Sequence, residues 1–177
     1  MFIILFIVLL LIIIGGILIS VFNRFVSNRN VVKDAWSNID VALKRRHDLI
    51  PNLVRTVKGY ASHEQETLEK VISARNSAMS TPSGDINAQI KSENLLQQSL
   101  RSLFALSEAY PDLKANTNFM DLQQKLNEIE ENLERSRRYY NGTVRENNIY
   151  GESFPGVLFA GIFSYQHFDF FEADEID

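Results

Sequence analysis

The stretch that decides the fold is Val32 to Val57, VKDAWSNIDVALKRRHDLIPNLVRTV. Its apolar side chains step by three and four: Val32, Trp36, Ile39, Leu43, Ile50, Leu53 and Val57, and the seam goes on through Tyr60, Leu68 and Val71. Arg46 and Glu64 fill the two polar gaps. That spacing puts one apolar stripe on one face of a helix and predicts a helix–helix contact. Pro51 interrupts the pattern, because a proline inside a helix removes one hydrogen bond and crowds the preceding turn. Two readings follow. Either one helix over about 28–79 is kinked at Pro51, or the chain reverses near Arg46 to Asp48, with Asp48 as a cap and Pro51 in the first turn. The seam keeps its phase across Pro51, which favours the kink.

Downstream, Ser80-Thr81-Pro82-Ser83-Gly84-Asp85 is the clearest break in the chain, made of residues that favour turns. A second helix is expected over 86–110, using Ile90, Leu95, Leu96, Leu100, Leu103, Phe104 and Leu106, and Pro111 ends it. A third is expected over 116–148, with Phe119, Leu122, Leu126, Ile129, Leu133, Ser136, Tyr140 and Val144 as its seam. At about 50 Å it would overshoot a second helix of about 37 Å. No strand pattern competes with these helices.

Upstream, Met1 to Phe22 carries no charge, and at about 1.5 Å per residue it reaches roughly 33 Å, enough for a bilayer core. A signal peptide would want a basic start, a shorter apolar run and a small-residue cleavage site. The fold class is therefore all-α: a transmembrane helix at 1–22, an elongated antiparallel up-down helical bundle at 23–150, and a tail at 151–177. Arg24, Arg29 and Lys33 follow the span, which places the amino terminus outside and the bundle in the cytoplasm. Gly16 and Ser20 have the spacing of small residues at membrane-helix contacts, although glycine is common in such helices anyway.

Composition narrows the chemistry. The 177 residues hold no cysteine and 3 histidines, which excludes a disulfide framework, a thiolate metal site and a cysteine nucleophile. His47-Asp48 and His63-Glu64 are single pairs, too few for zinc, and H-E-x-x-H is absent; both read as solvated helix surface. No phosphate-cradling glycine loop and no G-x-S-x-G elbow occurs, so no catalytic, cofactor-binding or metal-binding residues are expected. Residues 23–60 hold eight basic side chains against three acidic, whereas 146–177 hold seven acidic and no Lys or Arg. The near end suits anionic headgroups, and a net charge of −4 argues against nucleic acid. In the tail, Phe154 to Phe171 carries six of the twelve phenylalanines, while Pro155, Gly156 and Gly161 limit it to a turn or two of helix. Phe168, Phe170 and Phe171 are candidates for contact with a second subunit or a partner. Lipid is the least favoured destination, because acidic residues end the tail.

The run Ala35-Trp36-Ser37-Asn38-Ile39-Asp40-Val41, continuing Leu43-Lys44-Arg45-Arg46-His47-Asp48-Leu49-Ile50-Pro51-Asn52-Leu53-Val54, resembles the most specific motif of the LemA family. Tyr110-Pro111-Asp112-Leu113-Lys114-Ala115-Asn116 is similar to its second block, and Phe154-Pro155 with Phe170-Phe171-Glu172 to its closing elements. Asn147-Asn148 departs from it, standing where the family tends to place a Tyr-Asn pair. The resemblance implies a bacterial single-pass protein of the cytoplasmic (inner) membrane with a helical bundle and no established enzymatic activity. Some members are linked to a membrane zinc metallopeptidase or to membrane remodelling.

The function expected is a non-enzymatic scaffold that presents its bundle to protein partners or to itself as a homo-oligomer. The alternatives are a membrane-remodelling oligomer and a membrane-bound hydrolase or metal protein. The residues expected to meet a partner or set helix register are Lys44, Arg45, Arg46, His47, Asp48, Pro51, Asn52, Lys114, Asn116 and the three tail phenylalanines. Arg46, on the seam, is expected to face a carboxylate of the third helix, Glu131 or Glu134, because an unpaired buried charge is very costly.

Overall fold

The computed structural model describes residues 1–82 and 84–171. Among these the chain is all-helical without strands, in six helices: α1 (Phe2–Lys58), α2 (Gln65–Ser80), α3 (Ile86–Ser107), α4 (Pro111–Lys114), α5 (Thr117–Glu152) and α6 (Gly156–Phe159). The backbone divides into two compact units. One comprises Asn38–Arg137 with Phe171, the other Met1–Ser37 with Arg138–Phe170.

The first unit is a bundle of four helical segments: the end of α1, then α2, α3 and the first part of α5. Cross-links at one level give its course. Arg75 of α2 donates to the backbone oxygen of His47 at 2.7 Å, and Arg46 reaches both Glu93 of α3 and Glu130 of α5. At one end, Tyr110 donates to Glu64 at 3.1 Å and Asn116 to the Tyr60 hydroxyl at 2.9 Å. Segments tied both at that level and at their turns must run up and down. The core follows the seams: Ile50, Leu53, Val57, Leu68, Val71, Leu96, Leu100, Leu103, Leu113, Phe119 and Leu126 are buried together. Each such side chain is worth about 1.5–3 kcal/mol when fully removed from water.

Two expectations are corrected. The helix over 28–79 is two helices, because α1 ends at Lys58 and α2 starts at Gln65. Gly59, a poor helix former, sits at the break, and Ala61 caps the turn by donating to Val57 at 2.8 Å. The seam holds its phase across the break because both helices face one core, so continuity of phase did not require continuity of helix. Pro51 lies inside α1, half-buried, so the chain does not reverse at Arg46 to Asp48. Tyr60 and Leu95, placed on seams, are exposed.

The turn after α2 uses Gly84 at φ +98°, a backbone region that glycine tolerates best. Asp85 then caps α3, accepting from the Ala88 amide at 2.9 Å. Pro111 opens α4 at its first turn, where its missing N–H costs nothing.

The second unit contains the start of α1 and the end of α5, where Trp36 meets Tyr140 edge-on at 5.4 Å between centroids. The surplus length of the third long helix therefore runs beside α1. The 18-residue window of highest mean hydropathy in α1 scores 3.6 and is unburied, making α1 long and apolar enough to cross a membrane.

Candidate functional site

The polar interruption in the first seam has a counterpart on α3. Ile90, Leu96, Leu100 and Leu103 form the buried stripe of that helix, and Glu93 stands in the middle of it. The three-four spacing turns Arg46 and Glu93 into the same interior, where they are 2% and 1% exposed. The Arg46 Nη2 donates to Glu93 Oε2. Its Nη1 donates to Glu130 Oε2 at 2.8 Å. The other oxygen of Glu93 accepts from His47 Nε2 at 2.9 Å and from Gln89 Nε2 at 2.9 Å. One buried carboxylate thus accepts three hydrogen bonds from two helices, and Arg46 leaves its Nε without a partner.

Burial alone would push the Glu93 carboxyl up, but the hydrogen bond from His47 and the charge of Arg46 outweigh it and hold the group below its ordinary range. Glu93 is therefore ionised at neutral pH, with both oxygens held by protein donors. Such a network can fix helix register. Arg137 of α5 adds a second, half-buried cation. Desolvation draws its guanidinium below the usual range, Glu130 opposing, and its charged end lies 4.6 Å from the centre of the Phe171 ring.

The expected site residues part company here. Arg46 and His47 turn inward, so His47 is not the solvated surface residue it was read as. The carboxylates facing Arg46 are Glu93 and Glu130 in place of Glu131 or Glu134, since Glu131 is exposed and pairs with Arg135 at 3.8 Å. Lys44, Arg45, Asp48 and Asn52 are exposed. Arg45 and Asp48 line a surface groove of about 480 Å³ with Lys125, Glu128 and Asn132 of α5. Lys114 is exposed and bridges to Glu108. Asn116 caps α5, accepting from the Phe119 amide at 3.0 Å. Phe168 and Phe170 are half-buried, whereas Phe171 is buried in its own chain, which removes it from any partner surface. Glu172 and the acidic residues after it lie outside the described residues.

Three further residues do work that the periodicity did not assign. Glu93 is the first. Asn147 and Asn148, both buried, are the others. Asn148 donates to the Phe168 oxygen at 2.9 Å and accepts from the Phe168 amide at 3.2 Å, while Asn147 donates to the Gln166 oxygen at 2.9 Å. Tyr140 donates to the Asp169 oxygen at 3.0 Å. Side chains of α5 thus satisfy an extended tail backbone that has no sheet to pair with. Burial, with a smaller contribution from Asp169, pushes the Tyr140 hydroxyl up to about 12. The departure of Asn147-Asn148 from the Tyr-Asn pattern was the signal; the tail they hold is 19 to 20 residues away and invisible to local spacing.

These features define a class: a helical bundle tied by a buried ion network, whose first helix carries an apolar stretch of membrane-spanning length. Sequence comparison agrees with the class. The LemA family profile matches residues 35–177. Protein LemA of Metamycoplasma hominis is 27% identical over 119 residues, covering 67% of this chain and 54% of that relative. The matched stretch thus spans about half the length of the curated relative. The chain belongs to the LemA family.

Proposed function

We propose that the protein is a membrane-anchored, non-enzymatic scaffold of the bacterial inner membrane, with its bundle in the cytoplasm. The observation that carries this reading is the uncharged stretch Met1 to Phe22, whose most apolar 18-residue window is unburied, at the head of a helix that continues into the bundle. Exposing that much apolar surface to water would be prohibitive; a bilayer removes the cost. The basic excess after Phe22 supports a cytoplasmic bundle. Inside the bundle, charge is spent on register, while Lys44, Arg45 and Asp48 stay on the surface. That leaves this groove as the face for protein partners or a second copy; a membrane metallopeptidase is the partner the family resemblance suggests.

Alkaline carbonate extraction tests the anchor. The full chain should stay with the membrane pellet, and deletion of residues 1–22 should release it. Because the chain lacks cysteine, single cysteines at exposed Ser80 and Ser102 report sidedness. Both should resist a membrane-impermeant thiol reagent in intact cells, and rapid labelling of both would place the bundle outside. For the scaffold role, a photocrosslinker at Arg45 should capture a defined protein or a second copy. Capture no greater than from an exposed α3 position such as Gln98 would remove the groove from the proposal.

A further inference from the structure

Ser153 to Gln166, SFPGVLFAGIFSYQ, is 14 residues without a charge. An apolar run of about that length is too short to span a bilayer and belongs either in a core or at a membrane interface. It is not in a core. Phe154 is 79% exposed and Ile162 72%, and Val157 and Leu158 are exposed with them. Yet the segment is held firmly, and what holds it is the end of the apolar stretch of α1. Phe163 packs edge-on against Phe22 at 5.3 Å and lies 6.1 Å from Phe25, with Phe159 stacked behind it at 5.8 Å. Val21, still within the uncharged stretch, is 4% exposed, so the cover reaches onto the span itself. Gly156 makes this approach possible: a Cβ there would lie 1.9 Å from the Tyr150 oxygen and 3.5 Å from the Phe25 ring.

We propose that residues 153–166 form a second membrane contact, lying in the headgroup–acyl boundary of the bilayer beside the α1 span. This rests on the reading that the α1 stretch crosses the membrane. Continuity with that span identifies the occupant as lipid, because the exposed side chains adjoin residues that are themselves in the bilayer. Depth follows from the backbone. Bonds from Val157 to Ser153, Leu158 to Pro155, Phe163 to Phe159 and Tyr165 to Ala160 satisfy part of it, but the segment is irregular, and irregular backbone is not tolerated in hydrocarbon. The boundary region accepts it, as it accepts Tyr150 and Tyr165, which pack on Phe25 at 5.0 and 5.9 Å. Arg24, Arg29 and Lys33, in the turns after Phe22, supply cations at headgroup level.

Asp169, the first acid of the tail after Glu152, does not obstruct this. Asp169 is tied to Tyr140, twelve residues back from Glu152 and so about 18 Å along α5.

The test uses the full chain with single cysteines at Leu158, Ile162, Leu10 and Gln98, all exposed, each carrying an environment-sensitive fluorophore. The protein is reconstituted in vesicles of phosphatidylcholine with one quarter phosphatidylglycerol, including lipids brominated at shallow or deep chain positions. Labels at 158 and 162 should be quenched best by shallow bromines, the label at 10 by deep ones, and the label at 98 by neither. If 10 is quenched while 158 and 162 behave like 98, the interfacial contact is wrong and the anchor stands. If 10 is unquenched too, both readings fall.

Discussion

Removing the Glu93 carboxylate should do more damage than removing any exposed carboxylate of the bundle. In Glu93→Ala, Arg46 keeps its contact with half-exposed Glu130, where water screens the pair, and loses its buried partner. His47 Nε2 loses its acceptor at the same time. Breaking a buried ion pair from one side costs about 3–5 kcal/mol, and the surviving Glu130 contact sets the expectation at about 3 kcal/mol. With a urea slope of about 2 kcal/mol/M, the midpoint falls by roughly 1.5 M. The assay is urea unfolding of the full chain in mild detergent, followed by helical circular dichroism. A double variant, Arg46→Met with Glu93→Leu, should recover most of the loss, because apolar replacement of both partners strands no charge. The pH dependence has a definite sign. Glu93 is held below its ordinary 4.5, so its contribution is fully present above that value and is lost as pH falls beneath it. Glu93→Gln should therefore flatten the acid limb below about pH 4.5. A Glu93→Ala variant within about 0.5 kcal/mol of the parent, or a double variant as unstable as the single, would refute the reasoning.

Tyr140, raised to about 12 by burial and Asp169, should remain protonated well past the ordinary 10 of a tyrosine. Its contribution is present below pH 10 and is lost as pH rises from about 10 towards 12; absorbance titration against Tyr140→Phe measures it. Gly142 sits in α5 with nothing within 4 Å of where a Cβ would stand, so Gly142→Ala should stabilise by about 0.5–1 kcal/mol. Gly151→Ala should do the opposite, by about 1–3 kcal/mol, since its Cβ would lie 2.3 Å from the Tyr165 ring; equal midpoints for the two variants would contradict the packing. Phe171→Ala should cost about 3 kcal/mol in the same urea titration, as for a buried ring, whereas Phe154→Ala, on an exposed ring, should leave the midpoint unchanged.

The sequence by itself determined the all-helical class, the apolar faces and the apolar N-terminal stretch, because each rests on periodicity or composition within one segment. Val32, Ile39, Leu43, Ile50 and Leu53 were legible as core from spacing alone, and they are buried. The seam position of Arg46 was legible too, and with it the need for a carboxylate should it be buried. Even Glu93 left a trace, as an anion midway along the stripe of Ile90 and Leu96. Which carboxylate meets which guanidinium was not legible. That depends on how far α3 and α5 slide against α1, and the sliding is set by the lengths of the turns at 59–64 and 81–85 and of the connection through α4. The turn after Gly59 illustrates the limit: a seam in constant phase fits one long helix or two short ones facing one core. The tail shows it again. Its phenylalanines announced burial, but only tertiary structure decided that Phe171 packs under Arg137, and that Phe154 and Ile162 stay exposed. Apolar side chains carry no address. The polar groups that supply one, Asn147, Asn148 and Tyr140, act on backbone 19 to 29 residues away, across a distance that one-dimensional spacing does not encode.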